Sequence, residues 1–569
     1  MFLNFLRTSG AVGSSASCLR HALAGAAPLL LIWLWLVFTF VAVWALTGVQ
    51  GWVVGSYWWD ELALSGAVTA LDQGLVPTVD FWAPFVLPLY LKQLAQSLVD
   101  GGRSYVLECF LQGSVVLAFF TGLVWRYRQY PGVYAAGFLA ILVALVPFNV
   151  FSVTQSQFGL VSYAGGYNRL GAGLLAIVYL LPVVRLRSFP VVWFAVFFVA
   201  AYLLKITVLQ AALGLVVLWL IFERDWSKFR SFLLSLLLSV LIVVSLSPFF
   251  GGGLGYLSIL RELSEIRAQI LADRKGFIAY YIYGDHKFEL FVYIFSGLLF
   301  SLYGIIKRVD WVPAIFWYFS CLLVSLLYTL TNYGDNGLLL FFVGAYSVVV
   351  MLGAGGGGGN AAGQGELPVR IARLLHVSGC GSLGFVLVTY LLVILVYSGG
   401  SVRLGSSLSE VELGVGQNRR AYSFDAGAWS GRQNISAPGV VINLKDPKIY
   451  ATYMSGVQDA LIYLDESYAD RDTSVYALDF PSYAFSYLAG YRVPRGSRPW
   501  MLYGHEVTLD YFPGAEDIFS DVDVLLVSKC SLAQGNRRYL SAIYRVPLER
   551  GWYKVKSLKC WDVYEPKVQ

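Results

Sequence analysis

Long apolar runs with few charges recur along most of this chain and decide its fold class. Between residues 28 and 398 they repeatedly reach roughly 20 residues, the length at which a helix crosses a hydrocarbon core of about 30 Å. Only 13% of the 569 residues are charged, against about 25% in ordinary soluble domains. The pattern predicts a polytopic α-helical membrane protein, and the net charge of +6 gives no reason to expect nucleic-acid binding.

The apolar runs predict about eleven membrane segments. They lie near residues 28–49, 104–125, 132–150, 168–184, 189–204, 206–222, 231–250, 288–306, 311–330, 337–353 and 380–398. The first has no small-residue cleavage site after it and is interpreted as a retained anchor. Two of the segments meet at Lys205 in a tight hairpin, which leaves the count open by one or two.

The distribution of Arg and Lys predicts the orientation of the segments. Short basic loops mark the cytoplasmic side of a membrane, and they occur here at 126–128, 185–187, 224–230, 307–308 and 370–373. The N-terminus is therefore expected inside. The external parts are then the loop at 50–103, the segments 251–287 and 331–336, and everything after residue 399. We expect a bacterial inner-membrane protein with a periplasmic C-terminal domain.

The sequence pattern changes in the C-terminal part of the chain. From about residue 440, short β-rich runs such as VVINL, SVYALDF and DVDVLLVS alternate with helical stretches at 449–467 and 482–490. This predicts a transmembrane domain at 1–399 followed by a soluble α/β domain at 400–569. Cys530 and Cys560 can form a disulfide if that domain faces an oxidising compartment. The six cysteines show no paired metal-ligand spacing, so no metal site is predicted.

The first external loop carries the acidic residues that are the best candidates for catalysis. Asp60 and Glu61 open an amphipathic helix that ends at Gly74, and Asp80 follows in the extended segment PTVDFWAP. Adjacent carboxylates beside tryptophans at a membrane surface are costly to desolvate unless a partner compensates them. That cost suggests that they have a function. The alternative is that Asp60 only caps its helix, since its carboxylate can accept hydrogen bonds from the first turn.

These segments resemble the GT-C superfamily of integral membrane glycosyltransferases, which use polyprenyl-phosphate sugars. The resemblance is carried by the WDE sequence, the GLVPTVDFWAP segment and the following LPLYL helix. LLKITV, TNYGDN, ALDFPSYAFSYLAGYRVPRG and DVDVLLVSKC add to it over most of the chain. Within the superfamily, the chain is similar to the protein O-mannosyltransferase and aminoarabinose transferase type.

The resemblance implies that Asp60 is the catalytic carboxylate, with Glu61 its neighbour and Asp80 an accessory acid. A polyprenyl phosphate is already a good leaving group, so one general base that deprotonates the acceptor hydroxyl is enough. A single displacement would invert the anomeric carbon. The acceptor can be a glycan, a lipid or a protein. Some members of the superfamily need a divalent cation, and the sequence leaves that cofactor open.

Charge that develops on the donor phosphate should be met by cations. The candidates on the external side are Lys205, Arg169, Arg261, Arg267 and Lys287. Lys205 lies between two apolar segments, where a lysine must snorkel, pair or bind an anion. Arg169 follows two glycines at the start of a membrane segment, where the alternative to phosphate binding is an interfacial anchor.

Two other functions also fit the sequence. A transporter or flippase for a lipid-linked sugar would need intramembrane charges, but it predicts inverted repeats, and the acids here cluster outside the first segment. A non-catalytic scaffold could use its Tyr- and Trp-rich soluble domain to bind envelope glycans. Loss of turnover on Asp60→Asn would favour the enzyme over both.

Overall fold

A computed structural model gives the structure of the chain. It describes residues 52–53, 58–99, 102–124, 166–184, 186, 189–273, 287–307, 311–331, 337–355, 370–371, 373–382, 409–414, 420–424, 434–437, 440–443, 447–468, 470–504, 506–533 and 535–567, with scattered positions between 29 and 44. The predicted segment at 132–150 lies outside these residues, as does most of the segment at 380–398. The structure is mostly helical, with a small C-terminal sheet.

The first part of the chain consists of helices, together with one short strand. The strand is β1 (Trp52–Val53), and the helices are α1 (Trp58–Asp72), α2 (Val86–Leu98), α3 (Gly102–Val124), α4 (Gly166–Tyr179), α5 (Leu181–Val184), α6 (Val191–Leu204), α7 (Ile206–Glu223), α8 (Trp226–Leu246), α9 (Gly252–Asp273), α10 (Lys287–Lys307), α11 (Val312–Thr331) and α12 (Gly337–Gly355). Most of them coincide with predicted apolar segments, because a long run without charges or prolines forms a helix that satisfies its own backbone groups.

Three of the described helices are long and apolar enough to cross a membrane. They contain the stretches Ser104–Leu123, Ile206–Glu223 and Trp226–Phe249. Other apolar helices, such as Val191–Leu204, are shorter. The structure thus indicates membrane association, whereas the count of about eleven spans is not confirmed.

The predicted break at Lys205 is confirmed. This residue ends α6 and begins α7 with an extended backbone, and its N–H still donates to Ala201 O at 2.9 Å. A single non-helical residue therefore reverses the chain between two apolar helices. It fixes the lysine at their shared end, where its side chain is 4% exposed.

The C-terminal part forms the predicted α/β arrangement. Its elements are β2 (Ser409–Leu413), β3 (Arg420–Phe424), β4 (Asn434–Ala437), β5 (Val440–Asn443), α13 (Pro447–Ser467), β6 (Val475–Leu478), α14 (Ala484–Ala489), α15 (Ala515–Phe519), β7 (Val524–Ser528), α16 (Arg545–Gly551), β8 (Trp552–Ser557) and β9 (Trp561–Pro566). The main sheet has the order β6-β7-β9-β8, with β6 and β7 parallel and the other pairs antiparallel. Both β6 and β7 are buried throughout, as expected for a strand covered on both faces.

The C-terminal domain packs directly on the first loop of the chain. The Tyr483 side chain lies against Gly66 of α1 so closely that a Cβ at residue 66 would be 2.5 Å from the Tyr483 Cβ. As predicted, α1 stops before Gly74, which adopts a positive φ of 80°. The sequence analysis predicted an amphipathic helix, which would leave one face of α1 exposed. That prediction was wrong: positions 61–68 are all buried, because both α2 and the C-terminal domain pack against α1.

A disulfide joins Cys530 to Cys560, the pair that the sequence analysis considered. It links the end of β7 to the start of β9 across 30 residues of chain. Disulfides persist in oxidising compartments.

We expect Cys530→Ser to lower the free energy of unfolding of the C-terminal domain by about 2–4 kcal/mol, because the open loop regains conformational entropy in the unfolded chain. Thermal unfolding of the purified full chain in detergent measures the change. Cys380→Ser is the matched control, because Cys380 is a half-buried free cysteine. Equal stability of the two variants would contradict the prediction.

Candidate functional site

A buried cluster of charges joins the first three helices. The ammonium of Lys92 in α2 contacts the carboxylate of Glu61 in α1, and it lies 3.3 Å from Oε2 of Glu108 in α3. The three side chains are 1%, 6% and 4% exposed. One ammonium can offset only one of two buried carboxylates, so the group as a whole favours a proton on one of the acids.

Polar neighbours complete the cluster. Gln112 Nε2 donates to Glu108 Oε1 at 2.9 Å, one helical turn further along α3. Ser65 donates to Glu61 Oε1 at 3.4 Å and accepts from Gln96 at 3.0 Å. These contacts satisfy carboxylate lone pairs that would otherwise be buried without a hydrogen bond. They also hold the start of α1, where Asp60 lies, against α2 and α3.

The cluster alters the proton affinity of its members. Burial raises the pKa of Glu61 to about 7; Lys92 opposes the rise and Glu108 adds to it. The pKa of Lys92 is raised to about 12, because attraction to Glu61 and Glu108 outweighs the lowering caused by burial. Lys92 therefore stays charged at neutral pH, whereas Glu61 binds a proton near neutrality.

We expect the free energy of unfolding to fall as the pH rises from about 4.5 to about 7. Unfolded Glu61 titrates at its ordinary pKa of 4.5, whereas native Glu61 keeps its proton up to about pH 7. This contribution to stability is complete below the lower pKa and is lost as the pH passes the higher one. Thermal unfolding in detergent at a series of pH values measures it.

Glu61→Gln should flatten this pH dependence, because the amide is neutral in both states. Glu265→Gln is the matched control, since Glu265 is 52% exposed and pairs with Arg261 of its own helix. If the free energy of unfolding of Glu61→Gln falls with pH as steeply as that of the wild type, a group other than Glu61 causes the pH dependence.

A second group of polar side chains continues from α3 to the hairpin at Lys205. Arg169 in the first turn of α4 donates to the Tyr105 hydroxyl of α3 at 2.5 Å. Its neighbour Asn168 accepts from Lys205 Nζ at 3.0 Å, and the same ammonium lies 5.3 Å from the centroid of the Tyr167 ring. Arg169 and Lys205 are 3% and 4% exposed. Two buried cations thus lie at the N-terminal ends of α4 and α7, where the helix dipoles also favour an anion.

The structure brings together three of the predicted site residues through these contacts. Glu61 is tied to α3 through Lys92 and Glu108. Arg169 of α4 contacts Tyr105 of α3, and Lys205 contacts Asn168 of α4. Asp60 lies in the first turn of α1, next to Glu61, and is half-buried.

The other predicted residues lie elsewhere. Asp80 accepts from Val76 N at 2.8 Å, and its Oδ1 lies 4.0 Å from Arg495 Nε, so its carboxylate closes a turn against the C-terminal domain. Arg261 is 82% exposed and pairs with Glu265 on the surface of α9. The side chains of Lys287 and Arg267 are outside the described part of the structure.

The sequence analysis missed Lys92 and Glu108. Both carried a usable signal: Glu108 is an acid inside an apolar stretch of spanning length, and Lys92 is the one charge in VLPLYLKQLAQSL. Burying a charge in an apolar segment costs free energy unless an opposite charge lies beside it. Pairing the lysine of one apolar segment with the glutamate of the next could therefore have predicted this contact. Within the described residues, no group of three or more His, Cys, Asp or Glu side chains could hold a metal ion.

No family model matches this chain, and no curated protein matches its sequence. The resemblance to the GT-C superfamily therefore stays a prediction that depends on the residues quoted for it.

Proposed function

We propose that this chain is a membrane glycosyltransferase. It would transfer a sugar from a polyprenyl-phosphate donor to a hydroxyl of a glycan, lipid or protein acceptor, with inversion at the anomeric carbon. Its site would lie at the external ends of α1, α3, α4 and α7 in the bacterial inner membrane. The observation that carries the proposal is a chain of contacts from the carboxylate pair on α1 to two buried cations. Lys92 of α2 joins Glu61 to Glu108 of α3, and Arg169 of α4 donates to Tyr105 of α3. Lys205, at the start of α7, donates to Asn168 of α4.

In this proposal Asp60 is the general base. The Glu61 side chain is 6% exposed and pairs with Lys92, so an acceptor hydroxyl has little access to its carboxylate. Asp60 is half-buried and keeps access to the outside of the cluster. The group formed by Glu61, Lys92 and Glu108 would hold the first turn of α1 in position, which is the preorganisation that a base needs.

Arg169 and Lys205 would bind the donor phosphate. Both are buried and lie at helix N-termini, so the charge that develops on the leaving phosphate would meet cations in a site with little water. Their hydrogen bonds to Tyr105 and Asn168 hold the two cations in place before substrate arrives. Asp80 has no catalytic part in this proposal, since its carboxylate closes a turn.

The test is transfer of label from a panel of polyprenyl-phosphate sugars to membrane extracts by the purified chain. Transfer that is lost in Asp60→Asn supports the enzyme and its base. Movement of labelled donor between leaflets without transfer would instead indicate a flippase. Folded protein that does neither would favour the scaffold.

A further inference from the structure

Large apolar side chains are exposed where the C-terminal domain meets the first loop and the end of a membrane-length stretch. They are Val79 of the first loop, Phe249 at the end of the stretch Trp226–Phe249, and Leu509 and Phe512 of the C-terminal domain. Their exposed fractions run from 45% to 61%. Single exposed apolar residues are ordinary on a protein surface, whereas a contiguous group of them marks an interaction surface.

Contacts of the first loop bring these side chains together. Val79 packs so closely on Gly251 that a Cβ there would overlap it, which places Val79 beside the chain two residues after Phe249. Val79 and Phe512 line the same cavity. The apolar group is therefore one patch, although its members come from three distant parts of the chain.

A tight turn holds the C-terminal members of the patch against α9. Thr508 N donates to Tyr511 O at 2.7 Å, which leaves Leu509 at the exposed tip of the turn. The Tyr511 hydroxyl donates to the carboxylate of Glu262 in α9. Glu262 also pairs with Arg498 of the same domain, so the position of the turn follows that of α9.

The helix α9 stays close to the ends of the apolar helices. Leu260, two turns into α9, belongs to the same small apolar cluster as Tyr202 of α6 and Leu246 of α8. Glu262 lies two residues further, about 3 Å along the helix axis. The turn that Glu262 holds therefore lies near the level at which α6 and α8 end.

Tyrosines mark a membrane boundary at this level. Tyr90 O–H donates to Phe249 O at 2.5 Å, and Tyr202 O–H donates to Gly253 O at 3.3 Å. Both tyrosines are half-buried. Tyrosine is enriched where hydrocarbon meets water, because its ring is apolar and its hydroxyl is polar. The exposed apolar patch lies at the same level.

We propose that the turn at 508–512, together with Val79, inserts into the bilayer surface at the Phe249 end of the stretch Trp226–Phe249, so that the C-terminal domain rests on lipid. The occupant is lipid because the patch continues the exposed apolar face of α8, to which Leu241 and Val244 belong. A soluble partner could reach the patch only through the lipid boundary. The contact is independent of the proposed glycosyl transfer.

Acidic residues beside the patch limit the depth of insertion. Asp510 at the tip of the turn and Asp517 on α15 are exposed, and a carboxylate is costly to move into hydrocarbon. The insertion is therefore shallow, with Asp510 among the lipid headgroups. Because the contact is apolar and the nearby charge is negative, it requires no anionic lipid.

The test is spin labelling of single cysteines in the full chain, reconstituted in phosphatidylcholine nanodiscs after Cys18 and Cys380 are replaced by serine. Nitroxides at Leu509→Cys and Phe512→Cys report collisions with oxygen, which concentrates in the bilayer, and with a water-soluble nickel chelate. We expect a high ratio of oxygen to nickel collisions at both positions.

Two reference positions give this ratio its scale. Leu241→Cys lies on the exposed face of α8, and Tyr553→Cys lies on β8, at the edge of the sheet farthest from β6. The ratios at the turn should lie closer to that of Leu241→Cys. They should not change when the salt rises from about 0.1 M to about 1 M, because salt screens charges but leaves apolar contacts in place.

Three results would overturn the proposal. Nickel access at the turn as high as at Tyr553→Cys would place the turn in water. Low access to both oxygen and nickel would show that protein covers it, and dipolar broadening between labels would identify a second copy of the chain. A ratio that falls to the Tyr553→Cys value at high salt would show an electrostatic contact. Leu509→Cys alone decides if Phe512→Cys, whose ring packs near Tyr544, fails to fold.

Discussion

Replacement of Lys92 by methionine is expected to lower the free energy of unfolding by about 3–5 kcal/mol, because it leaves two buried carboxylates without a cation. Glu61 and Glu108 are 6% and 4% exposed, so water cannot replace the lost ammonium. Reversible unfolding in mixed detergent micelles measures the change. The loss of unfolding free energy caused by Lys92→Met should be smaller at pH 5, where Glu61 is protonated.

Lys228→Met is the matched control for this variant. Lys228 is nearly as buried, but its partners Glu223 and Asp225 are 35% and 38% exposed and can be solvated without it. We expect Lys228→Met to lower the free energy of unfolding by less than about 1 kcal/mol. Adding Glu61→Gln and Glu108→Gln to Lys92→Met should recover part of the loss, since neutral amides need no cation. Equal stability of Lys92→Met and Lys228→Met would contradict the buried cluster.

Asp60→Asn is expected to lower sugar transfer by about 10²–10⁴-fold, the usual contribution of a general base. The amide has nearly the shape of the carboxylate but cannot take the proton of the acceptor hydroxyl. The loss should appear in the turnover number, with donor binding retained, because Arg169 and Lys205 are unchanged. Initial rates at several donor concentrations separate the two effects.

Asp72→Asn on the same helix provides the control for Asp60→Asn. Asp72 is exposed at the C-terminal end of α1 and accepts from Gln93 at 2.8 Å. We expect it to retain normal transfer. If Asp60→Asn transfers sugar as fast as Asp72→Asn, Asp60 is not the base and the role assigned by resemblance is wrong.

Local patterns in the sequence predicted much of the fold. Apolar length predicted α3 to α8 and α10 to α12, the single lysine in LLKITV predicted the break between α6 and α7, and Gly74 predicted the end of α1. The alternation of β-rich and helical runs predicted the C-terminal α/β domain. Each of these features depends on residues close together in the chain, where propensity and periodicity act directly.

The burial of α1 could not be read from its own residues. Its first turns carry Asp60 and Glu61, which suggested a helix at an interface, but Tyr483 of the C-terminal domain covers Gly66 from more than 400 positions further along the chain. Glu61 is buried beside Lys92 of α2, whose ammonium offsets its charge and also pairs with Glu108 of α3.

The sequence by itself determined that this chain forms apolar helices and a small C-terminal sheet, because backbone hydrogen bonding and the hydrophobic effect act on local pattern. Only the tertiary structure decided which charges meet. Lys92 reaches Glu61 across 31 positions and Arg498 reaches Glu262 across 236. A buried charge requires an opposite charge within a few ångströms, wherever that partner lies in the sequence. The candidate site therefore exists only once the helices and the C-terminal part of the chain have packed.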